Sequence, residues 1–431
     1  MNRDLNNVLL AWKNSKKRFP LMLRGARQVG KSWLVRELGK TFSKYYEINF
    51  EESSDAKKIF ERNLDPQTIL EGLSFFFSEK IIPGQSLLFL DEIQECPRAI
   101  TALRYFKEKC PELHVVSAGS LVDFELEKTG VPVGRVEFCY VHPLSFGEFL
   151  EATGNELLRE HCIEQKHNDV AHDRLLELFK NYLWLGGMPE VVQTWIDHKD
   201  PQGCQKIQDG IIETYIQDFN KYSKRYQTEN VDRVFRSIPK QLGHKFIYTH
   251  VDRDLSHYQL KSALSLLIKA GVALPCYHSS GQGTPLGAQI DAKKFKIFFF
   301  DGGLAQRLLG LDLKSWFATD YKTINDGALA EQFVAQEAIA QMSSMGPSHI
   351  YYWHREDKKG NAEVDFIFEK NQKIIPVEVK AGVKGGLKSL NYFLQTHKHS
   401  SKGLKVSCNH YASYEKYHEI PFYGLEAWFK K

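Results

Sequence analysis

The sequence predicts an α/β fold, with a mostly parallel, doubly wound sheet filling its first third. Three observations lead there. Short apolar runs alternate with amphipathic stretches, a glycine-rich turn follows the first run, and an acidic pair closes the third. Strands buried on both faces read as continuous apolar runs, and the helices between them supply the crossovers that parallel pairing needs.

The elements follow in order. Pro20-Leu21-Met22-Leu23 reads as a buried strand, and Lys31 to Leu38 as the helix after the turn. Tyr45 to Phe50 is a second strand; a long helical stretch then leads to Ser86 to Leu90 and on to His114 to Ala118. A fifth strand runs from Arg135 to Val141, just after Gly134. From Leu144 to about Phe246 the pattern is helical, broken at Gly186-Gly187-Met188-Pro189. Thr249 to Cys276 reads as two short helices and a β-ribbon, and from about Asp326 the order is helix, three strands, helix. At 431 residues the chain is too long for one ordinary domain. The expected divisions are residues 1–155, 156–310 and 311–431.

Composition narrows the class. Hydrophobic residues at 42% and charged residues at 26% allow each domain a buried core. Lys and Arg (57) nearly balance Asp and Glu (53), which excludes an extreme basic tail and leaves a local basic face open. The seven cysteines form no C-x-x-C pair, as expected of reduced thiols in a cytoplasmic protein. No apolar run approaches the length of a membrane span, and the first residues lack a signal-peptide core, so no membrane partner is expected.

The turn after the first strand is Gly25-Ala26-Arg27-Gln28-Val29-Gly30-Lys31-Ser32, followed by Trp33. It fits G-x-x-x-x-G-K-[ST] at every fixed position, after a strand and opening a helix. The glycines let backbone N–H groups face phosphate oxygens at a helix N-terminus. Lys31 is expected to neutralise the β- and γ-phosphates of a nucleoside triphosphate, ATP, and the Ser32 hydroxyl to hold Mg²⁺. Arg27 is open between a phosphate contact and a structural ion pair.

Leu87-Leu88-Phe89-Leu90-Asp91-Glu92 supplies the partner motif. A carboxylate leaving a buried strand beside the loop reaches the Mg²⁺ shell, which assigns Asp91; Glu92 is then the base that polarises a water. At the end of the next strand, Ser120 rather than Ser117 is the candidate for touching the γ-phosphate, with helix capping as the alternative. Arg135 reads either as a finger supplied to a neighbouring subunit's ATP or as a surface arginine.

Two later segments carry further chemistry. Ser256 to Gly271 has an apolar face at Leu260, Leu264, Leu267 and Ile268, and an extended Val272 to Tyr277 follows. His257, Gln259, Lys261 and Lys269 are candidates for facing DNA, with plain packing as the alternative. In the strand Ile375 to Lys380, the period of two puts Glu378 and Lys380 on one face, and Asp365 lies on the preceding strand. Converging carboxylates bind a divalent metal, and the lysine stabilises charge on a scissile phosphate. Glu331, on the helix before, completes the set. Spacing alone favours a strand edge with a surface ion pair.

Taken together, these signatures resemble a group of bacterial and archaeal AAA-superfamily ATPases joined to a C-terminal domain of unknown function. The resemblance rests on Arg24 to Ser32, Leu90 to Gln94, Gly134-Arg135-Val136, Pro143 to Phe149, Gly186 to Glu190, Asp301 to Leu304 and Gly327 to Glu331. Ser32 replaces the commoner threonine, and Gly302 stands where a small polar residue is usual. The resemblance implies an additional-strand P-loop ATPase domain, a helical and winged-helix-like middle, and a restriction-endonuclease-like C-terminal α/β domain. There Asp365, Glu378 and Lys380 match the PD-(D/E)XK nuclease core. The expected function is Mg-ATP hydrolysis coupled to DNA, with homo-oligomerisation open. A nucleotide-gated switch with slow hydrolysis and an ATP-regulated nuclease are the competing expectations.

Overall fold

A computed structural model of the protein describes residues 1–119, 134–222, 225–311, 313–318, 327–355, 361–381 and 386–431. The chain folds into two units, Met1–His142 with Ser343–Pro347, and Pro143–Met342 with Ser348–Lys431.

The first unit runs α1 (Leu5–Asn14), β1 (Leu21–Arg24), α2 (Lys31–Gly39), β2 (Lys44–Asn49), α3 (Ser54–Arg62), α4 (Pro66–Phe76), β3 (Ser86–Asp91), α5 (Pro97–Lys109), β4 (His114–Ala118) and β5 (Glu137–Tyr140). The sheet order is β2-β3-β4-β1-β5, parallel at every pairing. Strand β4 therefore separates the strand before the glycine-rich turn from the strand ending in Asp91, the additional-strand arrangement expected. β3 and β4 are buried at every residue, which explains their unbroken apolar runs. One sheet face packs Phe50, Phe60, Leu73, Leu88, Leu90 and Phe106. Burying such side chains contributes roughly 1.5–3 kcal/mol each. Ser53 and Asp65 start α3 and α4 by accepting backbone N–H bonds from Ala56 and Thr68.

The second unit opens with helices α6 (Phe146–Ala152), α7 (Glu156–Glu164), α8 (Asp169–Leu185), α9 (Pro189–His198), α10 (Pro201–Tyr222), α11 (Arg225–Ser237) and α12 (His257–Lys269). Then come β6 (Ala273–Ser279), β7 (Ile290–Phe299), α13 (Gly302–Leu308), α14 (Leu313–Ala318), α15 (Gly327–Gln341), β8 (Ile350–His354), β9 (Glu363–Lys370) and β10 (Lys373–Val379). The chain closes with α16 (Lys388–Thr396), β11 (Gly403–Ser407), β12 (Ala412–Ser413), β13 (Tyr417–Pro421) and α17 (Leu425–Lys430). Its sheet has the order β12-β13-β11-β10-β9-β8-β6-β7.

This order differs from the sequence expectation in several places: beyond the expected helix, three strands and helix the chain adds β11, β12, β13 and α17, and the ribbon runs on to Phe299. The ribbon β6–β7 is antiparallel as expected, but β6 also pairs in parallel with β8, Cys276 opposite Ile350. One sheet thus crosses the expected boundary at 310/311. The ribbon is no free wing, because the second edge of β6 carries backbone groups that β8 satisfies.

Buried polar groups fix the helices. Ser145 and Glu148 form a reciprocal cap at the start of α6. Asp301 is fully buried, accepts from the N–H groups of Gly187 (2.7 Å) and Leu304 (2.9 Å), and so joins the Gly186-Gly187 break to α13. Burial pushes its carboxyl up to about 6 against those bonds. Arg159 on α7 pairs with Glu426 on α17 at 2.6 Å, both side chains nearly inaccessible. The seven cysteines are free thiols. Among the described residues no helix is long and apolar enough to cross a membrane.

His114, at the start of β4, lies edge-on to Trp12 and Phe42 with its Nε2 3.2 Å from the Lys13 carbonyl and Nδ1 3.4 Å from Arg18. Burial, with Arg18 adding to it, lowers its pKa to about 4. The folded protein therefore disfavours the charged ring, whereas the unfolded chain accepts a proton near pH 6.5. Stability is fully present above pH 6.5 and falls as pH drops toward 4, by on the order of 2 kcal/mol. Denaturation of the protein followed by tryptophan fluorescence is expected to show this loss, and His114→Gln to flatten it.

Candidate functional site

The parallel sheet brings the carboxyl ends of β1 and β3 to one edge, and the loop Gly25–Ser32 closes over it. Gly25 has φ +144°, and a Cβ there would lie 2.1 Å from the Val141 carbonyl oxygen. Only glycine fits that approach. Gln28, at φ +63°, is a non-glycine residue in the left-handed region inside the loop. Ser32 Oγ donates to Asp91 Oδ2 at 2.7 Å, so the hydroxyl and carboxylate expected to share a metal shell are in contact. Lys31 is 8% exposed and its Nζ donates to the carbonyls of Ala26 (2.8 Å) and Gly25 (3.1 Å). Burial lowers the Lys31 pKa to about 8, while Glu92 and Asp91 oppose it. Burial raises Asp91, and the Ser32 hydrogen bond works against that.

Glu92 sits at φ +47°, an unusual conformation for glutamate that costs about 1–2 kcal/mol. Its carboxylate accepts from Gln94 Nε2 at 2.6 Å. Sequence reading placed Gln94 at the end of the Leu90–Gln94 signature without giving it a role, and it missed Arg3. Arg3 is 5% exposed and donates to the carbonyls of Val29 (3.1 Å) and His142 (2.7 Å), bracing the loop from behind. Arg3 carries no motif, although a lone arginine near the start of the chain becomes informative once buried. Trp33 projects into solvent at 37% exposure.

One expected residue stands elsewhere. Arg135 precedes Glu137, which pairs with Leu21 at the start of β1, the end of the sheet opposite the loop. Its side chain binds Glu108 on α5 at 3.0 Å. The surface-arginine alternative describes it within its own chain. Ser120 lies outside the described residues, and Ser117 is buried with its Oγ on the Leu21 carbonyl at 3.4 Å.

The second constellation forms on β7, β9, β10 and α15. Val377 faces Phe366 across β10–β9, so one step further Glu378 comes level with Asp365. Asp365 Oδ2 accepts from the Val379 N–H at 2.7 Å, and Lys380 Nζ donates to Glu378 Oε1 at 2.6 Å. Glu331 reaches the group through Lys296, whose ammonium is wholly buried between Glu331 (2.9 Å) and Glu363 (2.7 Å). Lys296 and Glu363 are additions to the expected set. The lysine had a signal, a lone cation in the apolar run Phe295 to Phe300. Burial opposes its charge, but Glu331, Glu363 and Asp365 hold it protonated well above the usual lysine range. Burial and then Asp365 push Glu331 up to about 8 and Glu378 up to about 7. Glu378 Oε2 is buried with no hydrogen-bond partner. Among the described residues, the side chains whose metal-type ligand atoms lie within 4.8 Å of one another are His167, Asp169 and His410, so Glu331, Asp365 and Glu378 do not form a closed ligand set. The orphaned Glu378 oxygen is the position open to a hard cation.

On α12, Leu260, Leu264 and Leu267 are buried as expected and Ile268 is half-buried. His257, Gln259 and Lys261 are exposed, and Lys269 is half-buried.

The geometry of the first unit defines a P-loop nucleotide-binding domain. Residues 17–150 match the family profile of the AAA domain, so this domain is of the AAA type. Residues 176–315 and 326–426 match two further families, each described as a domain of unknown function (DUF8612 and DUF4143). None of the curated proteins compared with the chain matches it. Among solved structures, the Walker-type ATPase of Pyrococcus abyssi is 16% identical, with 72% of this chain and 95% of that chain covered and a TM-score of 0.45. The Aeropyrum pernix ORC1 protein, solved in complex with DNA, is 14% identical over 73% and 91%, with a TM-score of 0.27. A signal-transduction ATPase with numerous domains from Pyrococcus horikoshii is 13% identical over 80% and 46%, with a TM-score of 0.29.

Because the Val141 carbonyl occupies the space a Gly25 side chain would need, Gly25→Ala is expected to move the loop and weaken ATP binding at least tenfold. Titration with a fluorescent ATP analogue, beside wild-type protein, measures it.

Proposed function

We propose that the protein hydrolyses Mg-ATP on the Gly25–Ser32 loop. The Ser32–Asp91 contact of 2.7 Å carries this reading, because it brings two oxygen donors suited to a magnesium shell together from the start of α2 and the end of β3. In this reading Lys31 and the loop N–H groups bind and orient the β- and γ-phosphates, and Trp33 lies at the start of the helix behind them. Glu92 accepts the proton of the attacking water once Gln94 releases it. Mg²⁺, held by Ser32 with Asp91 beside it, supplies charge neutralisation at the phosphate oxygens when bound. Arg135, remote from the loop of its own chain, would serve a neighbouring copy if the protein oligomerises. Glu92→Gln is expected to keep ATP affinity within a few-fold while phosphate release falls about 10²–10⁴-fold. Unchanged turnover would remove Glu92 as the base.

A second reading concerns the other unit, and the orphaned Glu378 oxygen favours it. Glu331, Asp365 and Glu378 would hold a divalent cation beside Lys380, the donor set of metal-assisted phosphodiester cleavage in a PD-(D/E)XK-like core. Hydrolysis of ATP would then regulate this site, with DNA as the candidate partner. Asp365→Asn is expected to weaken Mn²⁺ binding at least tenfold, read by electron paramagnetic resonance on nucleotide-free protein. Equal affinity in the variant and in wild type would exclude the site.

A further inference from the structure

Within the second unit a cavity of about 610 Å³ lies against β9 and the segment after α11. Its wall carries Lys240, His244, Lys245, His250 and Arg355, and a single carboxylate, Glu363. Lys240, His244, Lys245 and His250 are exposed, whereas Glu363 is the residue that binds the buried Lys296. The wall and the carboxylate cluster are therefore continuous. Two backbone contacts reinforce the link. Lys245 forms a β-bridge with Lys296, and Gly243, also on the wall, lies so that a Cβ would come 3.4 Å from Glu331 Oε1. At φ +74° Gly243 holds the turn that sets this wall against α15.

We propose that this basic cavity binds a single strand of nucleic acid and leads its phosphodiester backbone to the Glu331–Asp365–Glu378 cluster. The proposal rests on reading that cluster as a phosphodiester-directed metal site. The charge pattern selects the ligand class, since a cationic wall beside a carboxylate cluster attracts a polyanion and orients it toward a bound metal. The size favours a strand, since a cavity of about 610 Å³ takes in unpaired nucleotides rather than a whole duplex. His354 adds an observation independent of charge. It lines the cavity and is 9% exposed; Nδ1 faces the Arg355 carbonyl at 3.1 Å, and Nε2 is buried with no hydrogen-bond partner. With Nδ1–H donating and the ring stacked on His278, Nε2 is an acceptor that a sugar hydroxyl or a base N–H reaches once the side chain turns toward the cavity. The expected DNA-facing side chains on α12, His257 and Lys261, are not part of this wall.

The test uses the full-length protein in EDTA and fluorescein-labelled 15-mers of single-stranded DNA, single-stranded RNA and duplex DNA, read by anisotropy. Single strands are expected to bind at least tenfold tighter than the duplex. Lys240→Glu combined with Lys245→Glu, both at exposed positions, is expected to weaken them at least tenfold and to flatten the salt slope by about 1.4, two phosphate contacts' worth. A preference for RNA over DNA would support the Nε2 contact with a sugar hydroxyl. Duplex affinity equal to that of the strands, or unchanged affinity in the charge-reversed protein, overturns the proposal. Mn²⁺ binding to the same proteins separates the two readings. If Mn²⁺ binds and charge reversal has no effect on strands, the cavity assignment alone fails. If wild-type protein takes up no Mn²⁺, the metal reading fails and this proposal with it.

Discussion

Parallel pairing constrains everything in the first unit. When five strands run the same way, each must be followed by a return crossover, and all their carboxyl ends emerge at one edge. Arg24, where the glycine-rich loop departs, and Asp91 are thereby fixed at that edge with β4 between them. The hydrogen bond from Ser32 to Asp91 joins residues 59 positions apart and spans the gap across β4. Arg135 falls at the other end for the same reason, since a parallel strand must begin where its neighbour begins.

The second unit is organised by charge kept out of water. Burying an unpaired ammonium or carboxylate costs several kcal/mol, so each such group brings partners with it. Lys296 has two carboxylates within 2.9 Å, and Arg159 and Glu426 satisfy one another. Asp301 is neutralised in part by helix and loop N–H groups instead. Glu378 pairs one oxygen with Lys380 and leaves the other without a hydrogen-bond partner, as Arg355 leaves its buried Nε.

Much of this was legible before any coordinates. The five runs became β1 to β5 within a residue or two. Strands β1, β3 and β4 are buried on both faces and leave a plain apolar composition, whereas β2 and β5 are only partly buried. The loop and Asp91 were legible because phosphate binding demands particular residues at fixed spacing. Asp365, Glu378 and Lys380 were legible as a pattern, and their convergence needed the β9–β10 register. The parallel pairing of β6 with β8 was not legible, since the two strands lie some seventy residues apart and carry no turn between them that sets register. Arg3 and Lys296 act through partners distant in sequence, which a linear motif does not record, whereas Gln94 acts on Glu92 two residues away.

The Lys31 contacts have a consequence for how the loop chooses what it holds. Its ammonium donates to two carbonyls of the same loop. A phosphate chain competes for it by offering oxygens more negative than an amide's. Neutral molecules of the right size gain nothing from that exchange, whereas a polyanion gains at every oxygen. Selection at this loop is therefore a contest between two acceptors for one proton-bearing nitrogen, decided by charge.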